Sequence, residues 1–345
     1  MADQDAGLTL RAGIIGYGDA GRGIHARLLR EAGHRVTHVV TRDAARAQVA
    51  RDDWPGVEVH PDAASLLGRR DDLDVVVVAS PTGRHVEHAL LALAAGAPTV
   101  VDKPLALDTS GARRLVAAAQ EAGVPLTVFQ NRRWDSEQLT LRGLLAARTL
   151  GDVHRFERRW ERWRPVPKDR WKENAVGEGG GLLLDLGAHL VDSAVQLFGP
   201  VTSVYAELRA MTTPTEDDVF LALTHASGTI SHLSAGAVVG APGPRTRVLG
   251  SAGAYLVTSF EGEPTPFAVL DPGPGNEGWL VRGDVAEPVA RVDGGHVDFY
   301  RAVSRWLLSG GPVPVDPRDA VATATVLDAA RASAASGHPV LLEPA

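Results

Sequence analysis

Apolar and polar positions follow two different patterns along this chain. Up to about Gln130, short apolar runs alternate with helical stretches. Asp74 to Ala79 (DVVVVA) is a continuous β-branched run, as a central parallel strand covered on both faces requires. Ile14-Ile15, Arg35 to Thr41, Thr99 to Asp102 and Leu126 to Gln130 have similar strand character. Helical stretches fall between them, among them His85 to Ala95 before Gly96 and Thr109 to Ala122 before Gly123, each glycine placed for a C-terminal cap. This order predicts an α/β unit over 8–130 with a doubly wound parallel sheet.

Beyond Gln130 the pattern changes. A helix over Ser136 to Thr149 leads into the extended run Val153 to Trp163, the glycine-rich Gly177 to Gly181 and an apolar helix over Leu182 to Phe198. Strand-like runs then follow without helices between them: Thr202 to Ala210, Asp217 to His225, Thr229 to Ala235 and Thr246 to Leu249. Turn residues such as Ser227-Gly228 and Ser251-Ala252-Gly253 separate them. Residues 262–278 read as a surface loop, and helices over Val297 to Leu308 and Pro317 to Ala335 finish the chain. The prediction for 131–345 is an α+β domain with a large, mostly antiparallel open sheet.

The turn after Ile14-Ile15 reads Gly16-Tyr17-Gly18-Asp19-Ala20-Gly21 and opens a helical pattern through Ile24, Leu28 and Leu29. Strand, G-x-G-x-x-G and helix together are the dinucleotide fingerprint of a Rossmann unit. Gly16 permits the tight turn, Gly18 lets the backbone approach a pyrophosphate, and Gly21 allows the helix to pack closely. The backbone N–H groups around Asp19 and Ala20, at the helix start, then face the phosphates. About 20 residues on, NAD-binding units carry an acidic residue for the ribose hydroxyls. Here Thr41-Arg42 stand at the strand end, where they can donate hydrogen bonds and charge to a 2′-phosphate. NADP is therefore favoured over NAD. Asp43 is the competing reader of the ribose, but directly before Ala44-Ala45-Arg46-Ala47 it reads as a helix N-cap.

Composition excludes several classes. The 345 residues suit about two domains, and 44% hydrophobic with 22% charged residues is ordinary for a globular protein. A net charge of −7 gives no general attraction for nucleic acid or anionic membranes. The lack of cysteine removes disulfides, thiolate metal sites and cysteine nucleophiles. Met1 to Leu10 is polar, without the apolar stretch of a secretory signal, and the apolar helix Leu182 to Phe198 is interrupted by Asp185, His189 and Asp192. A cytoplasmic protein with neither a nucleic-acid nor a membrane partner is expected.

Candidate chemistry gathers at two places. Ser80-Pro81-Thr82 with His85, and Asp102-Lys103-Pro104, end parallel strands, where open α/β sheets bind ligands. Lys103 taken alone is also consistent with a solvated strand-end lysine, and His85 alone with an ordinary helix position. In the apolar helix, Asp185, His189 and Asp192 recur at i, i+4 and i+7 along one stripe. Asp185 can orient the His189 ring and stabilise its charged form, leaving the other nitrogen to exchange a proton. The rivals are a structural His-Asp pair and a metal site; no third ligand stands at recognisable spacing, so the protein is expected to carry no metal. Arg155, Arg158, Arg159, Arg162, Arg164, Lys168, Arg170 and Lys172 interleave with Trp160, Trp163 and Trp171. Glu157 and Glu161 offset part of that charge, and a sheet and loop lining a polyol pocket explains the segment better than nucleic-acid binding does.

With the glycine motif, Asp102-Lys103-Pro104 and the Asp185/His189 helix behind a glycine-rich loop, the chain resembles the Gfo/Idh/MocA family of sugar and polyol oxidoreductases nearly end to end. The family usually has Glu-Lys-Pro where this chain has Asp102-Lys103-Pro104, a departure that leaves Lys103 in place. Asn131-Arg132-Arg133-Trp134-Asp135-Ser136, Arg162-Trp163-Arg164-Pro165, Asp169-Arg170-Trp171 and Gly250-Ser251-Ala252-Gly253-Ala254-Tyr255 look most like a bacterial subgroup containing NADP-dependent scyllo-inositol dehydrogenases. The resemblance implies that Lys103, Asp185 and His189 meet the nicotinamide between two domains, that Asn131, Arg133, Trp134, Arg162 and Trp171 contact substrate, and that the open sheet face supports a homodimer or homotetramer. The expected activity interconverts a secondary alcohol and a ketone on a cyclic polyol or sugar, possession of Lys103, Asp185 and His189 together arguing against a non-catalytic regulator of the same fold. Reduction of another sugar or an aldehyde is the runner-up.

Overall fold

The structure is a computed structural model and describes residues 8–259 and 267–343. Met1 to Gly7 and residues 262–266 of the expected surface loop lie outside the described residues. The chain forms two compact units, 1–131 with 295–324, and 132–294 with 325–345.

The first unit is built on six parallel strands: β1 Arg11–Ile15, β2 Arg35–Val40, β3 Glu58–His60, β4 Val75–Val78, β5 Thr99–Val101 and β6 Leu126–Val128. Their order is β3-β2-β1-β4-β5-β6, so the direction of winding reverses between β1 and β4. The four valines of β4 are fully buried, as the unbroken apolar run requires of a strand covered on both faces. Helices His85–Ala94 and Thr109–Ala122 fall where the pattern put them. Gly123 closes the second with φ +63°, and the Asp108 side chain caps its start by accepting from Gly111 N at 2.7 Å.

The helix Val297–Ser309 was expected in the second domain but belongs to this unit. Its Phe299, Tyr300 and Val303 are buried, and Phe299 meets Phe129 edge-on with ring centroids 4.9 Å apart. An amphipathic helix carries no signal for which of two cores it joins, and position along the chain suggested the wrong one.

The second unit holds a nine-stranded sheet in the order β14-β13-β12-β11-β7-β10-β9-β8-β15. These strands are β7 Val153–Glu161, β8 Val201–Arg209, β9 Asp218–His225, β10 Ile230–Gly236, β11 Thr246–Gly250, β12 Gly253–Val257, β13 Asn276–Arg282, β14 Val285–Ala290 and β15 Val340–Leu341. Every pair is antiparallel except β7 with β10. β12 to β15 had not been anticipated, and the residues from Asn276 onward extend as β13 instead of looping. The helix Ala188–Phe198 packs on β7 and β10. Taken with the turns before it, Val176–Phe198 is long and apolar enough to cross a membrane by length and composition alone, with a mean hydropathy of 1.2, although Asp185, His189 and Asp192 interrupt it. It is mostly buried as a core element of the unit.

Candidate active site

In the first unit the glycine loop joins β1 to the helix Arg27–Glu31 through a wide π-type turn, Gly21–Ala26. Gly16 has φ +98°, and a Cβ there would crowd the Ala79 carbonyl at the end of β4. A Cβ on Gly21 would run into the Gly16 carbonyl oxygen. Gly18 differs: only the Arg46 guanidinium, 4.0 Å away, approaches the position of its missing side chain. That space can admit a phosphate against the backbone, so the loop fits a dinucleotide. Beside it lies a cleft of about 690 Å³ bordered by Gly18, Asp19, Arg22, Arg46 and Trp54. The buried Tyr17 donates to Asp53 at 3.0 Å; burial and then this bond push its phenol up to about 12.

At the end of β2, the Asp43 carboxylate accepts from Arg46 N at 2.9 Å and caps the helix Ala44–Asp53. Thr41 N donates to the His60 carbonyl at 3.1 Å, and the exposed Arg42 donates through Nε to the Pro61 carbonyl at 3.2 Å. The neighbouring strand β3 thus holds the turn that carries both residues. Arg46, absent from the sequence-based candidates, is brought to the loop because it lies on the helix that Asp43 caps.

The ends of β4 and β5 are fastened together by His85. Its buried ring places Nδ1 2.8 Å from the Pro104 carbonyl and Nε2 2.9 Å from the Ser80 carbonyl. Burial draws its pKa down against the pull of Asp102 and both carbonyls. His85, expected at the cofactor, forms a staple between Ser80-Pro81-Thr82 and Lys103-Pro104. Thr82 is itself buried, and Ser80 Oγ lies 2.9 Å from His88 Nδ1.

Asp102 secures the same turn from the other side. Its Oδ1 accepts from Lys103 N at 2.8 Å and stands 3.7 Å from Nε2 of the fully buried His25, whose Nδ1 lies 2.6 Å from the Tyr300 hydroxyl. Burial would raise the Asp102 carboxyl, but His25, Lys103 and His85 outweigh it and hold it at about 2. Lys103, followed by a cis Lys103–Pro104 peptide, therefore sits on a backbone fixed at both ends. His25 and Tyr300 are far apart in sequence, which is why no local motif announced them.

In the second unit, Gly181 has φ +100° and donates to the Lys172 carbonyl at 2.8 Å, leading into a second π-type turn, Leu183–Gly187. Such turns often mark functional positions in helices. Asp185 lies within it, so the strict α-helical stripe assumed for Asp185, His189 and Asp192 is broken before His189. The Asp185 carboxylate accepts from Lys172 Nζ at 2.6 Å, a partner the spacing argument had not supplied. His189 is largely buried against Trp160, with ring centroids 6.0 Å apart. Asp192 takes a two-pronged bond from Arg133, 2.9 Å from Nε and 2.6 Å from Nη2. Arg133, expected on substrate, is engaged with the helix through this pair.

The basic segment divides between interior and surface. Trp160 is ringed by the guanidiniums of Arg132, Arg245 and Arg162 at 4.6, 5.1 and 5.3 Å. Beneath it, buried Glu137 pairs with Arg245 at 3.1 Å and Arg158 at 3.4 Å and accepts from the Thr246 hydroxyl. Arg162 and Asp185 line a cavity of about 140 Å³ with Arg164, Lys172 and Thr213, alongside the apolar Leu182 and Leu186. Trp171 is more than a third exposed beside Lys172, its ring 5.9 Å from Nζ. Asn131 is buried at the last residue of the first unit, and Trp134 closes the short turn that follows.

Residues 10–130 match an oxidoreductase family with an NAD-binding Rossmann fold, and residues 138–256 match the GFO/IDH/MocA C-terminal domain. The protein belongs to the Gfo/Idh/MocA family of oxidoreductases. It is 27% identical over 351 residues to the scyllo-inositol 2-dehydrogenase (NADP(+)) IolW of Bacillus subtilis (strain 168), covering 97% of this chain and 96% of that one. It is 33% identical to the uncharacterized oxidoreductase YdgJ of Escherichia coli (strain K12), over 91% of this chain and 93% of the other. Among solved structures, the oxidoreductase YvaA of Bacillus subtilis superposes with a TM-score of 0.86 at 28% identity, covering 97% and 99% of the two chains. GenD2 from gentamicin A biosynthesis, solved in complex with NAD, gives 0.80 at 28% identity over 97% of each chain.

Proposed function

We propose that the protein is an NADP(H)-dependent oxidoreductase that interconverts a secondary alcohol and a ketone on a cyclic polyol or sugar, with scyllo-inositol the first substrate to test. The observation that carries the cofactor reading is the Asp43 cap. Its carboxylate serves the helix Ala44–Asp53, and the end of β2 offers Thr41 and Arg42 to the ribose. That donor set suits a 2′-phosphate, with Arg46 beside Gly18 adding a second cation. Gly16, Gly18 and Gly21, with the backbone of Asp19 and Ala20, would hold the pyrophosphate.

NADP supplies the hydride acceptor when bound. In the oxidation direction, His189 takes the hydroxyl proton, while Lys103 donates a hydrogen bond to that oxygen and stabilises developing alkoxide charge. Asp185, which accepts from Lys172, is the group proposed to orient the His189 ring. The similarity to a scyllo-inositol 2-dehydrogenase and the charged and hydroxyl groups of Arg162, Lys172, Asp185 and Thr213 at the cavity favour a substrate with several hydroxyls. The test is a panel of inositols, sugars and keto-sugars offered with each cofactor while reduced nicotinamide is followed by absorbance. Turnover of a cyclic polyol or sugar is expected; cofactor binding with no turnover across the panel would replace the enzyme with a regulator.

A further inference from the structure

The edge of the first sheet carries three metal-ligating side chains on one face. His38 on β2 pairs in register with Glu58 on β3, and Val40 pairs with His60. Alternate residues of a strand share a face, so His38, Glu58 and His60 project to the same side. His38 Nδ1 is 3.0 Å from His60 Nε2 and 4.0 Å from Glu58 Oε2. One ligand atom from each residue falls within 4.8 Å of the others, the one such cluster among the described residues.

We propose that His38, Glu58 and His60 form a binding site for a divalent transition-metal ion of the zinc class, with a remaining coordination position open to water. Tetrahedral zinc with bonds of about 2.0–2.1 Å sets its ligand atoms roughly 3.3 Å apart. The observed 3.0 and 4.0 Å need shifts of less than 1 Å to reach that, within the range of side-chain adjustment. Two imidazoles and one carboxylate are a donor set that zinc accepts, and the carboxylate offsets part of the ion's charge.

The surroundings suit a cation. Arg69 engages the other Glu58 oxygen, Oε1, at 3.2 Å and is itself countered by Asp72 at 2.9 Å, so Oε2 is left on the side of the histidines. Asp62, the next acidic group along, caps a short helix through Ser65 N at 2.8 Å. Burial lowers the pKa of both imidazoles, which favours the neutral, ligating form. His38 is buried, while the half-exposed Glu58 leaves the ion a route from solvent.

The expectation from sequence was that the protein carries no metal, argued from the Asp185/His189 helix; a site at this strand edge departs from it. A metal here would tie β3 to β2 directly below the turn in which His60 and Pro61 carbonyls hold Thr41 and Arg42.

The test uses the full chain without an affinity tag, freed of metal by a chelator. Zn²⁺ is titrated by calorimetry, and Co²⁺ by its visible absorption. One ion per chain is expected, with Zn²⁺ displacing Co²⁺ and raising the melting temperature. Loss of an outer-shell partner alone weakens metal sites roughly 10- to 100-fold, so His60→Gln and Glu58→Gln should each cost at least about 10-fold in affinity. Glu58→Gln changes a half-exposed residue without touching either ring, and thus probes the site in a folded protein. A wild type that takes up no stoichiometric Zn²⁺ or Co²⁺, or variants that bind like wild type, would overturn the proposal.

Discussion

The ammonium of Lys172 donates to the carboxylate of Asp185 at 2.6 Å, joining the segment before the glycine-rich loop to the helix that carries His189. The pair is partly solvated, so its contribution to stability is small. Its importance is to the orientation of Asp185. Lys172→Met should lower kcat by roughly 10-fold while leaving the Kd for cofactor unchanged, and Lys172→Arg should recover part of the loss. A fall in melting temperature with kcat intact would mark the pair as structural only.

His189→Ala and Lys103→Ala remove the proton acceptor and the oxyanion donor assigned to the reaction. Each should lower kcat by roughly 10²-fold or more, with cofactor affinity nearly preserved. Steady-state kinetics beside fluorescence titration of reduced cofactor separates the two quantities. Loss of cofactor binding in His189→Ala would contradict the role given to it.

Acid stability depends on Glu137. Burial would raise this carboxyl, but Arg158, Arg245 and the Thr246 hydroxyl hold it at about 2, against an ordinary value of 4.5. Because the folded pKa is depressed, the stabilisation is complete above about pH 4.5 and is lost as pH falls toward about 2. Glu137→Gln leaves two buried guanidiniums short of their counter-charge, at a cost of about 3–5 kcal/mol near neutral pH. Urea unfolding across that acid range should show a shallower pH dependence in the variant than in wild type.

Arg42 bears on cofactor choice from one position. A charge-assisted contact to a 2′-phosphate is worth about 1.5–3 kcal/mol, or roughly 10- to 150-fold in affinity. Arg42→Ala should weaken NADP by that amount and spare NAD, and Thr41→Asp with Arg42→Ala should reverse the preference. Equal weakening of both cofactors by Arg42→Ala would place the ribose contact elsewhere.

The first unit was the more legible in sequence. The valine run of β4, the three glycines and the Asp43 cap each express a local constraint, and local constraints are written in neighbouring residues. The short edge strand β3 and the strands β12 to β15 were not anticipated, because their pattern lacks a decisive alternation and their pairing is set by partners distant in sequence. The candidate site divides in the same way. Lys103, Asp185 and His189 could be named from motif and spacing, whereas the supports at His25, Tyr300 and Lys172 depend on contacts that only the folded chain creates. The pairing of Arg133 with Asp192 was not legible, because a guanidinium beside a candidate site reads alike whether it meets substrate or a carboxylate of the protein.

The most direct measurement is kcat/KM for scyllo-inositol with the wild-type protein, taken once with NADP⁺ and once with NAD⁺ at saturation. The account predicts turnover with both a clear alcohol dependence and a preference for NADP⁺ of roughly 10-fold or more, the size of one charge-assisted phosphate contact. Faster turnover with NAD⁺ would contradict the reading of Thr41 and Arg42, and the absence of turnover with either cofactor would contradict the polyol assignment.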